Sequence, residues 1–197
     1  MSAPAPTVYT VGHSTRSSEE FLALLREAGV TRVADVRAFP GSRRHPQFGR
    51  DALAGWLPDA GIDYRHMRAL GGRRSPRPDS PNRGWREAAF AAYADHMASA
   101  EFRQALAELE AAAHKRPTAI MCAEAVWWRC HRRLIADALL ARGWTVEHLG
   151  VGHGREAHRL TEFAVVGSDG IPTYPPVQPP LPAPASSGTD DAVGPSA

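Results

Sequence analysis

The run Thr118-Ala119-Ile120-Met121 leads into Cys122-Ala123-Glu124-Ala125-Val126-Trp127-Trp128-Arg129-Cys130-His131-Arg132-Arg133 and on to Leu134-Ile135-Ala136-Asp137-Ala138-Leu139-Leu140. The first four residues are short, apolar and β-prone, which reads as a buried strand. The last seven place Leu134, Ile135, Ala138 and Leu139 at helical spacing, and Gly143 stands where a helix is expected to stop. A strand passing into a helix predicts an α/β protein, and in that class ligands bind at the connection after the strand. This connection holds both cysteines of the chain, together with Glu124, His131, Arg129, Arg132 and Arg133.

Upstream, the same alternation recurs. Thr7 to Val11 reads as a first strand, broken by Gly12-His13-Ser14-Thr15. Ser17 and Glu20 have capping-box spacing, Phe21, Leu24, Leu25 and Ala28 follow on one helical face, and Gly29 ends that helix. Val30 to Val36 reads as a second strand, and Leu53, Trp56 and Leu57 as a short helix. Ile62 to Met67 alternates like a third strand. The polar run from Ser75 to Arg86, with prolines at 76, 78 and 81, reads as a functional or mobile loop. Trp85 to Met97 and Ser99 to His114 are two further helices, and Trp144 to Leu149 is a fifth strand. Gly150 to Arg155 reads as a loop, and 156–164 as a helix or an irregular turn.

Together these elements predict one α/β domain over 7–170: a doubly wound, mainly parallel sheet with helices on both faces. Residues 1–6 are expected to be a flexible N-terminus. From 171 to 197 the chain carries eight prolines and no lysine or arginine, which predicts a disordered tail.

Composition narrows the class of function. With 197 residues and 43% hydrophobic content, a single domain can bury its own core. No run of about 18 apolar residues exists, so no membrane span is expected. The first six residues lack the basic and apolar regions of a signal peptide, and a cytoplasmic location is expected, where two cysteines are thiols, metal ligands or a redox pair. The formal net charge is only +2, but twelve arginines stand against five acids between Arg32 and Arg86. Arginine forks suit phosphate and carboxylate, so an anionic partner is expected.

In a parallel sheet the loops that follow the strands meet at one rim. They bring His13 and Ser14 after the first strand, Arg37, Arg43 and Arg44 after the second, and Arg73 and Arg74 after the third. The cysteine motif follows the fourth strand and His153 the fifth. The loops at the opposite rim, around Gly29, Gly61 and Gly143, are short and plain.

Gly12-His13-Ser14, Asp35-Val36-Arg37, Arg43-Arg44-His45-Pro46-Gln47-Phe48, Leu70-Gly71-Gly72, and Cys122-Ala123-Glu124 ahead of Cys130-His131-Arg132 form an ordered set. Over roughly residues 8 to 165 the chain resembles the family catalogued as domain of unknown function 488. The resemblance implies an α/β domain with these residues as its signature, and it implies no activity. Where the family pattern has Asp-Pro after Cys-Ala-Glu, this chain has Ala125-Val126-Trp127-Trp128.

Several chemistries suit the motif. Cys122 at a strand end or Cys130 before a helix, near arginines, is suited to thiolate catalysis, with Glu124 as general acid or base. Arg37, Arg129 and Arg132, with the backbone N–H groups of the helix start, suit an anion. The six residues between Cys122 and Arg129 differ from the five of cysteine phosphatases. Cys122, Cys130 and His131, with His13 or His153, are also soft metal ligands, although Cys-x7-Cys-His is not a standard zinc spacing. No cofactor is named by the sequence. The expected function is therefore a basic, cysteine-containing pocket for a nucleotide or phosphorylated small molecule. The rivals are a nucleic-acid-binding module, with Trp85 or Phe48 stacking on a base beside the arginines of 73–86, and a metal-binding module.

Overall fold

The strand β1 (Thr7–Gly12) lies inside a six-stranded sheet of order β3-β2-β4-β1-β5-β6, in a computed structural model that describes residues 5–41, 43–152 and 154–176. The chain runs β1, α1 (Ser18–Glu27), β2 (Arg32–Asp35), α2 (Arg50–Asp59), β3 (Asp63–His66), α3 (Ala88–Met97) and α4 (Ala100–Ala113). It continues through β4 (Thr118–Cys122), α5 (Arg132–Ala141), β5 (Thr145–Val151) and β6 (Gly154–Ala157) to a small hairpin, β7 (Val165–Val166) and β8 (Pro172–Thr173). Strands β1 to β5 are parallel, as the alternation of strand and helix predicts, and β6 returns antiparallel at the edge.

Helices cover both faces. Phe21 and Leu25 of α1 and Leu53 and Leu57 of α2 pack on Val11, Val33, Ala119 and Met121. On the other face Met97, Leu106, Leu109, Leu134, Ile135 and Leu139 cover Val8, Ala34, Ile120 and Val146. Each such Leu or Phe, fully buried, stabilises the fold by about 1.5–3 kcal/mol relative to exposure. Helix α1 starts as its capping box predicts: Ser17 Oγ accepts from Glu20 N at 3.2 Å, and Glu20 Oε2 accepts from Ser17 N at 2.8 Å.

Three details differ from the sequence reading. The region expected as a plain loop contributes strand instead: β6 pairs antiparallel with β5, and Gly150 and Gly152 adopt positive φ (69° and 57°). Among the described residues 156–164 there is no helix. The expected tail boundary at 171 falls too early: Ile171 and Tyr174 are buried in the main core, and β8 pairs with β7. Residues 177–197, and His153 with them, lie outside the described residues. No helix among the described residues is long and apolar enough to cross a membrane.

Register decides what meets at the rim. Gly12 pairs with Cys122 and Asp35 with Met121, so the ends of β1, β4 and β2 lie flush.

Candidate functional site

The connection after β4 is held against the end of β1 by backbone hydrogen bonds, from His13 N to Cys122 O (3.0 Å) and from Ser14 N to Ala123 O (2.9 Å). A Cβ on Gly12 would lie 1.9 Å from Glu124 O, so only glycine permits this approach. The chain then makes a single 3-10 turn at Trp127–Arg129 and enters α5 at Arg132. That excursion returns Cys130 and His131 to Cys122. The Sγ atoms of both cysteines and a ring nitrogen of His131 all lie within 4.8 Å of one another.

Each member of this group has a defined partner. Cys130 Sγ is 3.6 Å from His131 Nδ1, and His131 Nε2 is 2.9 Å from Val36 O. A carbonyl only accepts, so Nε2 carries a proton, and Nδ1 is the ring nitrogen that faces the sulfur. Arg132, 1% exposed, donates Nε to Cys130 Sγ at 3.5 Å, NH1 to Thr10 Oγ1 at 3.5 Å, and NH2 to Glu124 O. The hydrogen bond from Cys122 holds the Cys130 thiol well below its ordinary pKa against the opposing effect of burial, with help from His131 and Arg132. The same hydrogen bond and burial push Cys122 up. The two sulfurs therefore titrate as a pair, with the Cys130 side drawn down and the Cys122 side pushed up.

Arg37 forms the opposite wall. It is buried, donates Nε and NH2 to the two oxygens of Asp35 (2.8 and 2.6 Å) and NH2 to Phe48 O (2.8 Å), and places NH1 3.3 Å from His13 Nε2. His13 stacks on Phe48 at 4.4 Å, and burial lowers its pKa to about 4. It is therefore neutral, with Nδ1 donating to Ser14 O (3.0 Å) and Nε2 accepting from Arg37. Asp35 also accepts from Tyr64 Oη at 2.8 Å.

A cleft of about 380 Å³ opens between these walls, lined by Arg37, Phe39, Gly72, Arg73, Cys122 and His131 among others. Arg73 lies over the ring of Phe39, which is 63% exposed. Of the expected site residues, the cleft and its walls thus unite Cys122, Cys130, His131, Arg132, Arg37, Arg73 and His13.

The others lie elsewhere. Ser14 contributes its backbone and adopts φ 48°. The carboxylate of Glu124 accepts from Val126 N in its own loop (3.3 Å), and only its carbonyl reaches Arg132. Arg43 and Arg44 are exposed and do not line the cleft. Arg74 turns away to Gly71 O and Ala69 O, and Arg129 lines a separate cleft with Trp85, Trp128 and Arg133. Trp85 and Phe48 are both buried, so neither offers a face for a base. The basic loop is largely self-satisfied, with Arg77 on Asp79 and Arg83 on Pro78 O.

Behind Arg132 runs a chain that no local motif announces. Thr10 Oγ1 lies 2.7 Å from His148 Nδ1, His148 Nε2 3.0 Å from His158 Nδ1, and His158 Nε2 2.9 Å from Asp137 Oδ1. Asp137 also accepts from Thr161 N and Tyr174 Oη. Arg132 donates at one end of this chain and Asp137 accepts at the other, so each buried polar group along it has a partner. Burial lowers His148 to about 3. Trp127 stacks on His148 at 4.0 Å, which anchors the motif's turn to this chain.

A family model described as domain of unknown function DUF488 matches residues 17–139, more than half of the chain. No curated protein and no solved structure matches it.

Proposed function

The chain belongs to the family described as domain of unknown function DUF488, and from that premise we propose that it binds an anionic small molecule at the rim cleft and acts on it through the Cys122–Cys130 pair. The observation that carries this reading is that one cleft is lined by Cys122 and His131 together with Arg37 and Arg73. A nucleotide or phosphorylated compound fits that lining: the Arg73 guanidinium holds its anionic group, Arg37 stays paired with Asp35 behind it, and the ring of Phe39 offers an apolar face. Cys122 faces the ligand, while Cys130 lies beside Arg132, with its thiol drawn down by the hydrogen bond from Cys122. The buried positions of Trp85 and Phe48 favour a small molecule over a nucleic acid. A cytoplasmic setting, which keeps thiols reduced, belongs to the same reading.

Calorimetric titration of the reduced protein with inorganic phosphate and with adenosine monophosphate tests it. We expect saturable binding of at least one of them, about tenfold weaker in Arg73→Ala, a loss of about 1.4 kcal/mol. Cys122→Ser is expected to bind as the parent does and to lose turnover on a nucleotide panel followed by mass spectrometry. Absence of saturable binding by both anions would overturn the anionic-ligand reading, and full turnover by Cys122→Ser would remove the sulfur from the chemistry.

A further inference from the structure

We propose that Cys122, Cys130 and His131 hold a thiophilic divalent ion of the zinc class, with its fourth position open to the cleft. The inference rests on the cysteine-dependent anion site argued above and names the cofactor of that site.

The first support is spacing. Tetrahedral zinc bound at about 2.3 Å to sulfur and about 2.0–2.1 Å to nitrogen sets those two ligand atoms about 3.6 Å apart. Cys130 Sγ and His131 Nδ1 are 3.6 Å apart, and Cys122 Sγ lies within 4.8 Å of both.

The second support is the surroundings of the donors. A metal-binding histidine is normally oriented by its other nitrogen donating to a carbonyl or carboxylate. His131 does this to Val36 O, which leaves Nδ1 directed at the sulfur. The ring is locked from its face as well, since a Cβ on Gly72 would lie 2.4 Å from Nδ1. Arg132 supplies an N–H to Cys130 Sγ, the outer hydrogen bond that a bound thiolate accepts.

Donor chemistry selects the ion. Two sulfurs and one imidazole suit zinc and exclude calcium or magnesium, which require oxygen ligands. The nearest motif carboxylate, Glu124, is engaged with Val126 N. Two thiolates neutralise a divalent charge, so Arg73 remains to attract an anion to the fourth position, while Arg37 is held by Asp35. Three protein ligands with one open place is the arrangement of catalytic rather than structural zinc.

Cobalt substitution tests the proposal on the full chain, purified under reducing conditions and stripped of metal. We expect one Co²⁺ per chain, with the ligand-field bands of tetrahedral cobalt and sulfur-to-cobalt charge transfer, both erased by one equivalent of Zn²⁺. Cys122→Ser should lose about half of the charge-transfer intensity, and Gly72→Ala, which displaces the imidazole, should weaken cobalt binding at least tenfold. Far-ultraviolet circular dichroism of the metal-free variants separates loss of the site from loss of the fold. A cobalt spectrum that stays octahedral in the wild-type protein would overturn the proposal, as would a tetrahedral spectrum unchanged in both variants. Phosphate titration of the metal-free protein keeps the two readings apart. Lost phosphate binding with an intact cobalt spectrum strikes only the anion reading, and the reverse strikes only the metal.

Discussion

Arg132 donates Nε to the Sγ of Cys130 across 3.5 Å, and none of its hydrogen-bond partners among the described residues is a carboxylate. A guanidinium removed from water requires a counter-charge, since an unpaired buried ion costs several kcal/mol. The nearest group able to carry one is the sulfur. The carboxylate at the far end of the chain, Asp137, is separated from Arg132 by Thr10, His148 and His158.

The hydrogen bond from Cys122 is the largest influence holding Cys130 low. In the metal-free, reduced protein Cys122→Ala should therefore raise the Cys130 thiol toward its ordinary pKa. Thiolate ultraviolet absorbance followed against pH reads this directly. A titration identical to the parent's would show that Arg132 and His131 act without Cys122.

Two glycine substitutions should move stability in opposite directions. Gly12→Ala drives a methyl to 1.9 Å from Glu124 O, and backbone has little room to give, so a loss of about 3 kcal/mol is expected. Gly55 lies exposed inside α2 with nothing within 4 Å of an added Cβ. Gly55→Ala should gain about 1 kcal/mol from helix propensity. Urea midpoints of the two variants measure both, and equal midpoints would contradict the account of the Gly12 contact.

Acid should weaken the fold through its buried histidines. Burial lowers His148 to about 3 and His13 to about 4, from 6.5. Between these values the unfolded chain binds more protons than the folded one, so stability falls as pH drops. The stabilising contribution is complete above about pH 6.5 and is lost progressively as pH falls from there to about 4 for His13 and about 3 for His148. Each histidine adds up to about 1.4 kcal/mol per pH unit in that window. A urea midpoint that stays flat from pH 6.5 to 4.5 would show that these rings are protonated in the fold.

Tyr174 closes the other end of the chain of hydrogen bonds, with Oη 2.8 Å from Asp137 Oδ2. Tyr174→Phe leaves that oxygen without its hydroxyl donor and should cost about 1–3 kcal/mol. Ending the chain after residue 170 also removes the buried Ile171 and should cost more. Denaturation of both forms beside the parent measures these losses, and a truncated form as stable as the parent would place residues 171–174 outside the core.

Local pattern carried much of this architecture. Alternation and helical spacing are properties of neighbouring residues, so the five parallel strands, the helices and the Ser17–Glu20 cap could be read in order. The edge hairpin was missed because its signal, glycines at 150 and 152, also marks ordinary loops. The early tail boundary has a similar origin: the prolines around Ile171 and Tyr174 resemble a disordered segment, and the burial of Tyr174 depends on Trp85, 89 residues earlier in the chain.

For the site, the sequence by itself determined that cysteine, histidine and arginine would follow strand ends on one rim, because parallel strands must all point one way. Only the tertiary structure decided which of them meet. The pairing of Gly12 with Cys122 is a cross-strand register, and the pairing of Thr10 with His148 joins residues 138 positions apart. Side chains that share a strand's local pattern are sorted by such registers into walls, supports and exposed bystanders. Arg37 thus became a wall, Arg132 a support, and Arg43 and Arg44 solvated surface.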